Sequence, residues 1–366
     1  MPLISLPMDA PGYPVKCAAL LEYSLPSTGS SIFGTGHRRF MVIPPHTKIY
    51  PESCVMILDM ITHTNGIITD MYVYLNGKIV RAKEALVSVF DHGFLYGDGI
   101  YETMRVYDGV IFMLDEHLMR LYRSASLIGL TIPFGVDSIK ISLYETLIAN
   151  SLKKAYVRLT VSRGEGPIGL DPELCIKPTI VIITQELKDY PRAFYENGIS
   201  LIISGTRKNL KESINPRIKS LNFLNNILAK IEAIKREAYE SVMLNAYEKL
   251  TEGTISNVFF YKDDTLCTPS LDCGILDGIT RGIVIDLALR EGLRVKEGEF
   301  TKEDIYSAAE VFITNSTLEV MPVSRVDDHR YAVGNITKLL RKAYRQEVNA
   351  YVANVKAEGP SLWGHE

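Results

Sequence analysis

The sequence lacks several features that would each indicate a particular class of protein. Its 366 residues contain no run of 18 or more apolar residues, so no membrane span is expected. The five cysteines are odd in number and lack metal-ligand spacing, which predicts reduced, mostly structural thiols and no metal site. Prolines at positions 2, 7, 11 and 14 interrupt any apolar segment of a secretory signal. These absences favour a cytoplasmic protein.

The chain also lacks a strong excess of either charge. It has 40 Lys and Arg against 43 Asp and Glu, a formal net charge of −3. Such a balance provides no basic surface for nucleic acid or for an anionic membrane, so neither is expected as a partner. Hydrophobic residues make up 46% of the chain, which is enough for a sizeable core, and the length allows two ordinary domains.

Regular patterning begins only after the first 70 residues. Residues 1–70 hold eight of the 17 prolines, and we expect them to form a poorly ordered extension; a small appended region is the alternative. Asn76-Gly77 between two short apolar runs then predicts a β-hairpin. Strand and helix patterns follow in a mixed α/β (α+β) arrangement. Helices are expected at about 114–128, 136–151, 221–239, 280–291 and 335–350.

This pattern divides the chain into two halves. We predict a small α/β domain at 71–190, a linker at 191–198, a large α/β domain at 199–350 and a C-terminal tail at 351–366.

One lysine stands directly before a predicted amphipathic helix. Lys219 precedes an apolar helical face formed by Leu224, Ile227, Leu228 and Ile231. At a junction between a strand and a helix, such a lysine can be partly buried, and burial lowers the pKa of an ammonium group. The neutral amine that results is what Schiff-base chemistry requires. Taken alone, a lysine at this position is more often a solvated surface charge.

Three other segments place polar groups beside apolar elements. Glu252, in Thr251-Glu252-Gly253, precedes an apolar strand and could face a cleft. Residues 278–281 open a helix, and residues 313–319 follow a buried strand, so both could present N–H and O–H groups to an anion. Read separately, these are an ordinary polar turn, an N-cap by Thr280 and a hydrophilic turn. Together with Lys219 they supply the groups that a pyridoxal phosphate site requires.

The order of these segments is more informative than any one of them. Together with two further sequence motifs in the first half of the chain, they resemble the motifs of the class IV aminotransferases, the fold-type IV pyridoxal-5'-phosphate (PLP) enzymes. The resemblance covers residues 71 to about 350 and implies the two-domain architecture of D-amino acid aminotransferase, with PLP as cofactor. The matching motifs are Asp91–Glu102, Asp115–Leu121, Lys219–Asn222, Thr251–Gly253, Gly278–Arg281 and Glu319–Val323.

The resemblance also implies a role for individual residues. Lys219 would be the catalytic residue, forming an aldimine with the cofactor aldehyde and moving the proton of the substrate Cα. Glu252 would pair with the pyridine nitrogen and Arg120 would bind the phosphate. The alternative for Arg120 is a pair with Glu116 on a solvated helix face. The remaining cofactor-binding residues would be Leu276 on the ring face and Ile279, Thr280 and Ser316 around the phosphate.

Within the family, the substrate-pocket motifs favour branched-chain amino acid aminotransferases. Tyr156-Val157-Arg158 matches their pocket strand, and Arg158 could bind the second carboxylate of glutamate or 2-oxoglutarate. Tyr96, Tyr101 and Thr317 would complete the substrate site. The expected reaction moves an amino group between Leu, Ile or Val and 2-oxoglutarate, in a homodimer or larger homo-oligomer.

Other departures from family patterns point in different directions. Ile168-Gly169-Leu170 stands where D-amino acid aminotransferases carry an Arg-x-His carboxylate trap, which counts against a D-specific enzyme, whereas Lys219–Asn222 is shared with D-specific relatives. Thr103 replaces a glycine of the branched-chain pattern, and Phe223 stands where a tyrosine often contacts the cofactor oxygen. D-amino acid or (R)-amine transamination and aminodeoxychorismate lyase activity are the alternatives, and a non-catalytic relative of the fold is a further one.

Overall fold

The computed structural model describes residues 71–358, and the predictions for residues 1–70 and 359–366 lie outside that range. The described part is a mixed α/β structure, which confirms the predicted fold class. Each of its two sheets has its own apolar core. The first uses strands between residues 72 and 186, and the second uses strands between residues 199 and 330.

The first sheet is antiparallel throughout, with the strand order β2-β1-β6-β5-β3-β4. The predicted hairpin at its edge is confirmed, because Asn76 (φ 49°) and Gly77 (φ 91°) form the tight turn between β1 and β2. Its strands are β1 (Tyr72–Leu75), β2 (Lys78–Arg81), β3 (Gly99–Tyr107), β4 (Val110–Ile111), β5 (Ala155–Ser162) and β6 (Thr179–Glu186).

Two helices pack on one face of this sheet, α2 (Leu114–Leu127) and α3 (Val136–Ala149). A short helix α1 (His92–Tyr96) precedes β3. The helical spacing of Leu114, Leu118, Leu121 and Ala125 predicted α2, and all four side chains are buried in the core of the sheet. Because α2 packs on β3, it brings Arg120 close to the residues of that strand.

The second sheet is mixed, with the order β12-β11-β10-β13-β14-β7-β8-β9 and with β15 paired to β14. The pairs β11/β12, β14/β7 and β7/β8 are parallel. Its strands are β7 (Ile199–Ile203), β8 (Glu240–Leu244), β9 (Leu250–Gly253), β10 (Asn257–Lys262), β11 (Thr265–Pro269), β12 (Arg294–Gly298), β13 (Glu310–Asn315), β14 (Glu319–Val326) and β15 (His329–Arg330).

The helices of the second half are α4 (Arg192–Asn197), α5 (Leu224–Lys235), α6 (Ile279–Arg290), α7 (Lys302–Tyr306) and α8 (Asn335–Glu358). Short 3-10 turns lie at Ala82–Glu84, Pro172–Leu174 and Leu271–Cys273. Helix α4 falls inside the segment expected to be a linker, and α8 continues beyond the predicted end near residue 350. No helix within residues 71–358 combines the length and hydrophobicity that a membrane crossing needs.

Helix α5 has the predicted apolar face, but that face does not pack on the sheet. Leu224 is 70% exposed and Ile227 is 51% exposed, and Leu228 and Ile231 are also exposed. The helix instead packs against β8 through small residues, with Ala229 and Ala233 fully buried. The single chain therefore leaves an apolar ridge in contact with solvent.

Candidate active site

A cavity of about 440 Å³ is lined by residues from both sheets. Its wall includes every residue predicted for the site except Tyr96. The lining residues from that prediction are Tyr101, Arg120, Arg158, Lys219, Glu252, Leu276, Ile279, Thr280, Ser316 and Thr317.

Lys219 reaches the cavity because its backbone adds to the edge of β3. The Tyr101 N–H donates to the Lys219 carbonyl at 2.9 Å, and the Leu221 N–H donates to the Gly99 carbonyl at 2.9 Å. A Cβ at Gly99 would lie 2.7 Å from Leu221 Cδ1, so this approach requires glycine. The expected strand-to-helix junction is corrected here: Lys219 follows a segment of turns and directly precedes Ser220, which forms an isolated bridge to Ile100 of β3.

The surroundings of Lys219 favour the neutral form of its amine. Burial, and then the positive charge of Arg120, lower the pKa of Lys219 from 10.5 to about 8. The Nζ atom lies 4.6 Å from the centre of the Tyr101 ring. A neutral amine in a cavity is the state that a nucleophilic or proton-transferring lysine needs.

Arg120 is anchored by a buried carboxylate that the sequence analysis did not assign to the site. Arg120 donates from Nε to Glu102 Oε1 and from NH2 to Glu102 Oε2, both at 2.7 Å, and His117 Nδ1 donates to Oε2 at 2.7 Å. Burial opposes the charge of Glu102, but Arg120 and His117 outweigh it, so the pKa of this carboxyl is well below its usual range. The alternative pair of Arg120 with Glu116 is wrong, because Glu116 is exposed and Arg120 is buried.

The remaining NH1 of Arg120 donates to the Asp277 carbonyl at 2.8 Å, which places the guanidinium beside the start of α6. The N-cap of α6 is Gly278 rather than Thr280, and no described side chain caps it. A Cβ on Gly278 would lie 1.9 Å from Asn257 Oδ1, so the tight packing there requires glycine. The first N–H groups of α6 therefore remain available to an anion.

Two hydroxyl groups in the cavity wall support an anion-binding function. Ser256 Oγ and Thr314 Oγ1 are buried, and neither has a hydrogen-bond partner among the described residues. Buried polar atoms without partners are rare in folded proteins. Together with Arg120 and the start of α6, these donors match the needs of a phosphate group.

The loop after β13 is anchored by Asn315, the last residue of that strand. Asn315 Oδ1 accepts hydrogen bonds from the Thr317 N–H at 2.9 Å and the Leu318 N–H at 2.7 Å. The Thr317 carbonyl in turn accepts from Arg105 NH1 at 2.6 Å. Ser316 lies between these anchored residues and lines the cavity, as expected.

Glu252 also lines the cavity, and three contacts hold its carboxyl group. Its Oε2 accepts from the Leu276 N–H at 3.0 Å and from Asn257 Nδ2 at 3.3 Å. Its Oε1 forms an ion pair with Lys208 Nζ at 2.7 Å. Lys208 was not predicted, because no local pattern distinguishes it from other lysines of a polar loop.

Three of the predicted substrate-binding residues line the cavity, and the fourth, Tyr96, lies outside it. Arg158 lies over the Tyr101 ring, with Cζ 3.9 Å from the ring centre, and its strand pairs it with Thr103. Phe223 contacts the same ring at 5.5 Å between centres. Tyr96 does not line the cavity, because the end of α1 directs its hydroxyl toward the Gly169 N–H at 3.2 Å.

The mixed α/β fold, with a lysine, a carboxylate and an arginine on one cavity, has the architecture of the fold-type IV enzymes. The family model described as amino-transferase class IV matches residues 99–326. The chain therefore belongs to the class IV aminotransferases, which confirms the family predicted from its motifs.

Relatives with three different names are similar over nearly their whole length. A Methanocaldococcus jannaschii protein provisionally named a branched-chain-amino-acid aminotransferase is 45% identical over 278 residues, covering 75% of this chain and 96% of that protein. Aminodeoxychorismate lyase of Bacillus subtilis is 36% identical, covering 75% and 94%. D-alanine aminotransferase of Listeria innocua is 36% identical, covering 76% and 96%.

Solved structures show the same architecture. The branched-chain aminotransferase of Thermoproteus uzoniensis with norvaline has a TM-score of 0.72 and 31% identity, covering 77% of this chain and 95% of that one. The branched-chain amino acid aminotransferase of Escherichia coli has a TM-score of 0.72 and 27% identity, covering 81% and 97%.

Proposed function

We propose that this chain is a PLP-dependent transaminase that moves an amino group between Leu, Ile or Val and 2-oxoglutarate. The observation that carries the proposal is the convergence of the Lys219 amine, the Glu252 carboxylate and the Arg120 guanidinium on one cavity. The branched-chain assignment draws support from the 45% identical relative and from the similar branched-chain aminotransferase structures.

The residues present fit PLP. Arg120, the start of α6 at Ile279 and Thr280, and Ser316 would bind the phosphate, while Leu276 would pack on the ring and Glu252 would bind the ring nitrogen. When bound, PLP supplies a reactive aldehyde and an electron-withdrawing ring. The chain itself then has to hold the substrate and move its protons.

Lys219 is the residue placed to move protons. Its lowered pKa, about 8, gives Nζ an appreciable neutral fraction near pH 7, so it can take the proton from the substrate Cα and later return one. Glu252 lies in the same cavity wall, where it forms an ion pair with Lys208 and accepts from two N–H donors. Glu252 would hold the ring nitrogen while Lys219 moves the proton.

Arg158 is the residue proposed to bind the second carboxylate of glutamate or 2-oxoglutarate. Its guanidinium rests on the Tyr101 ring, and none of the ion pairs found within residues 71–358 involves it. Thr103, directly across the strand pair, adds bulk beside it. We expect this side of the pocket to accept an aliphatic or an acidic side chain.

A half-reaction screen tests the activity. The purified full-length chain is saturated with PLP, and its visible absorption band is followed after adding L-Leu, L-Ile, L-Val, L-Glu or D-Ala. We expect the four L-amino acids to bleach the band with release of their oxo acids, and Lys219→Ala to lack the band altogether. Reaction with D-Ala alone would establish the D-amino acid alternative. Pyruvate formed from aminodeoxychorismate without an amino acceptor would establish the lyase.

We also propose that the chain is cytoplasmic and works as a homodimer or larger homo-oligomer. Besides the ridge of α5, a second set of apolar side chains is exposed around α1 and the loop near Gly169: Leu86, Val89, Phe94, Ile168, Leu170 and Ile176. Contiguous exposed apolar surface commonly marks an interface between subunits. Light scattering after size exclusion should give at least twice the 41.0 kDa chain mass; a monomer at micromolar concentration would contradict this assignment.

A further inference from the structure

Lys208 forms a largely buried ion pair with the carboxylate proposed to face the cofactor. Its Nζ lies 2.7 Å from Glu252 Oε1, and the side chains of Lys208 and Glu252 are 10% and 9% exposed. An ion pair this far from water needs good geometry, because both charges have lost most of their hydration. The proposed function as described so far gives this lysine no role.

The loop around Lys208 is anchored by three hydrogen bonds, two from its backbone and one from the Arg207 side chain. The Lys208 N–H donates to the Leu244 carbonyl at 2.9 Å, at the end of β8. The Thr206 N–H donates to Glu232 Oε1 at 2.9 Å. Arg207 donates from NH2 to Glu248 Oε1 at 2.6 Å. The loop therefore fixes where the Lys208 side chain begins, so its ion pair with Glu252 is a feature of the fold.

The hydrogen bonds of Glu252 leave space for one more donor. A carboxylate oxygen has two lone-pair sites. Oε2 already accepts from Leu276 and Asn257, while Oε1 has only the ion pair with Lys208 Nζ among the described residues. A further N–H donor in the cavity would therefore meet Oε1, the oxygen that Lys208 holds.

We propose that Lys208 is a positioning residue for the cofactor site: its ion pair holds the Glu252 carboxyl group in place, with Oε1 able to accept in addition from the ring nitrogen that PLP would present. This inference rests on the proposed function. It adds that the carboxylate works as a pair with Lys208, so that removing the lysine weakens PLP binding through Glu252.

A double-mutant cycle on PLP affinity tests this pairing. The dissociation constant of PLP is measured by absorbance titration of the cofactor-free full-length chain, for wild type, Lys208→Met, Glu252→Gln and the double variant. We expect Lys208→Met to weaken binding about 10- to 100-fold, the range of a lost hydrogen bond to a charged group. In the Glu252→Gln background the same change should alter binding less than about threefold.

Two further variants, Lys208→Arg and Lys211→Met, separate a positioning role of Lys208 from general damage to the fold. Lys208→Arg keeps the charge and should bind PLP within about fivefold of wild type. Lys211→Met is the matched control in the same loop, because Lys211 is 50% exposed and lies 3.8 Å from Asp272; it should leave binding unchanged. If Lys208→Met folds poorly, the double variant is expected to fold better, since it removes both charges of the buried pair.

The outcomes are distinct. Unchanged or tighter PLP binding in Lys208→Met would overturn the proposal. Unchanged binding would mean that the lysine has no effect on PLP affinity, and tighter binding would mean that it competes with PLP for Glu252. Equal losses in both backgrounds would also overturn it, since Lys208 would not act through Glu252. A wild-type chain that binds no PLP would instead refute the proposed function itself.

Discussion

We expect the buried carboxylate of Glu102, which binds Arg120, to contribute strongly to both the stability of the chain and its affinity for PLP. Glu102 is fully buried and accepts three short hydrogen bonds, two from Arg120 and one from His117. Glu102→Gln keeps the size of the side chain but removes its charge. It also turns an NH2 group toward donors that need an acceptor.

The structure allows the size of the effect to be worked out. Removing one partner of a buried ion pair costs about 3–5 kcal/mol, because the other charge stays buried without compensation. For a folded region of this size each kcal/mol lowers the melting temperature by about 2–4 °C. We therefore expect Glu102→Gln to unfold about 6–20 °C below wild type, and PLP to bind at least about tenfold more weakly because Arg120 loses its orientation.

Denaturant titration of the cofactor-free chain, followed by circular dichroism, measures the free energy of unfolding, and absorbance titration measures PLP affinity. Glu116→Gln is the matched control. Glu116 lies one turn before Arg120 on α2 but is exposed, so its loss should change stability by less than about 0.5 kcal/mol. If Glu102→Gln lies within about 1 kcal/mol of wild type and binds PLP equally well, the network does not support Arg120 and this reasoning is refuted.

Two further predictions concern Lys219 and Arg158. The rate at which the cofactor-free chain captures PLP should rise about tenfold per pH unit and level off above about pH 8, because the neutral amine of Lys219 increases up to its pKa; a rise that continues toward pH 10 would show that the pKa is not lowered. Arg158→Glu should reduce kcat/KM for glutamate at least about tenfold more than for leucine, since only glutamate presents a second carboxylate. Equal losses in steady-state assays of both substrates would remove Arg158 from the pocket assignment.

Much of the fold could be predicted because its signals are local. The Asn76-Gly77 turn lies inside one short segment, and the helical spacing of α2 is visible within 14 residues. The groups around the cavity could be named because their order along the chain matches a family. The apolar face of α5 was also visible in the sequence, but periodicity shows only that a face exists and not what covers it.

The pairing of charges could not be predicted, since it depends on contacts between distant segments. Glu102 lies 18 residues before Arg120, and the two meet only because α2 packs on β3. A nearer acid, Glu116, satisfied the helical i−4 rule and was a reasonable alternative. Lys208 and Glu252 are 44 residues apart and meet because the loop after β7 crosses to the end of β9.

These pairings distinguish the two anion sites that we propose in the cavity. The charge of Arg120 is balanced by Glu102 and that of Lys208 by Glu252. Over residues 71–358, Arg158 forms no such ion pair and only stacks on Tyr101. A phosphate would thus rely on directed N–H and O–H donors around Arg120, whereas a substrate carboxylate would meet the unbalanced charge of Arg158. Burial, and then the positive charge of Arg120, lower the pKa of Lys219 to about 8, so its amine carries less positive charge than an ordinary lysine at the same pH.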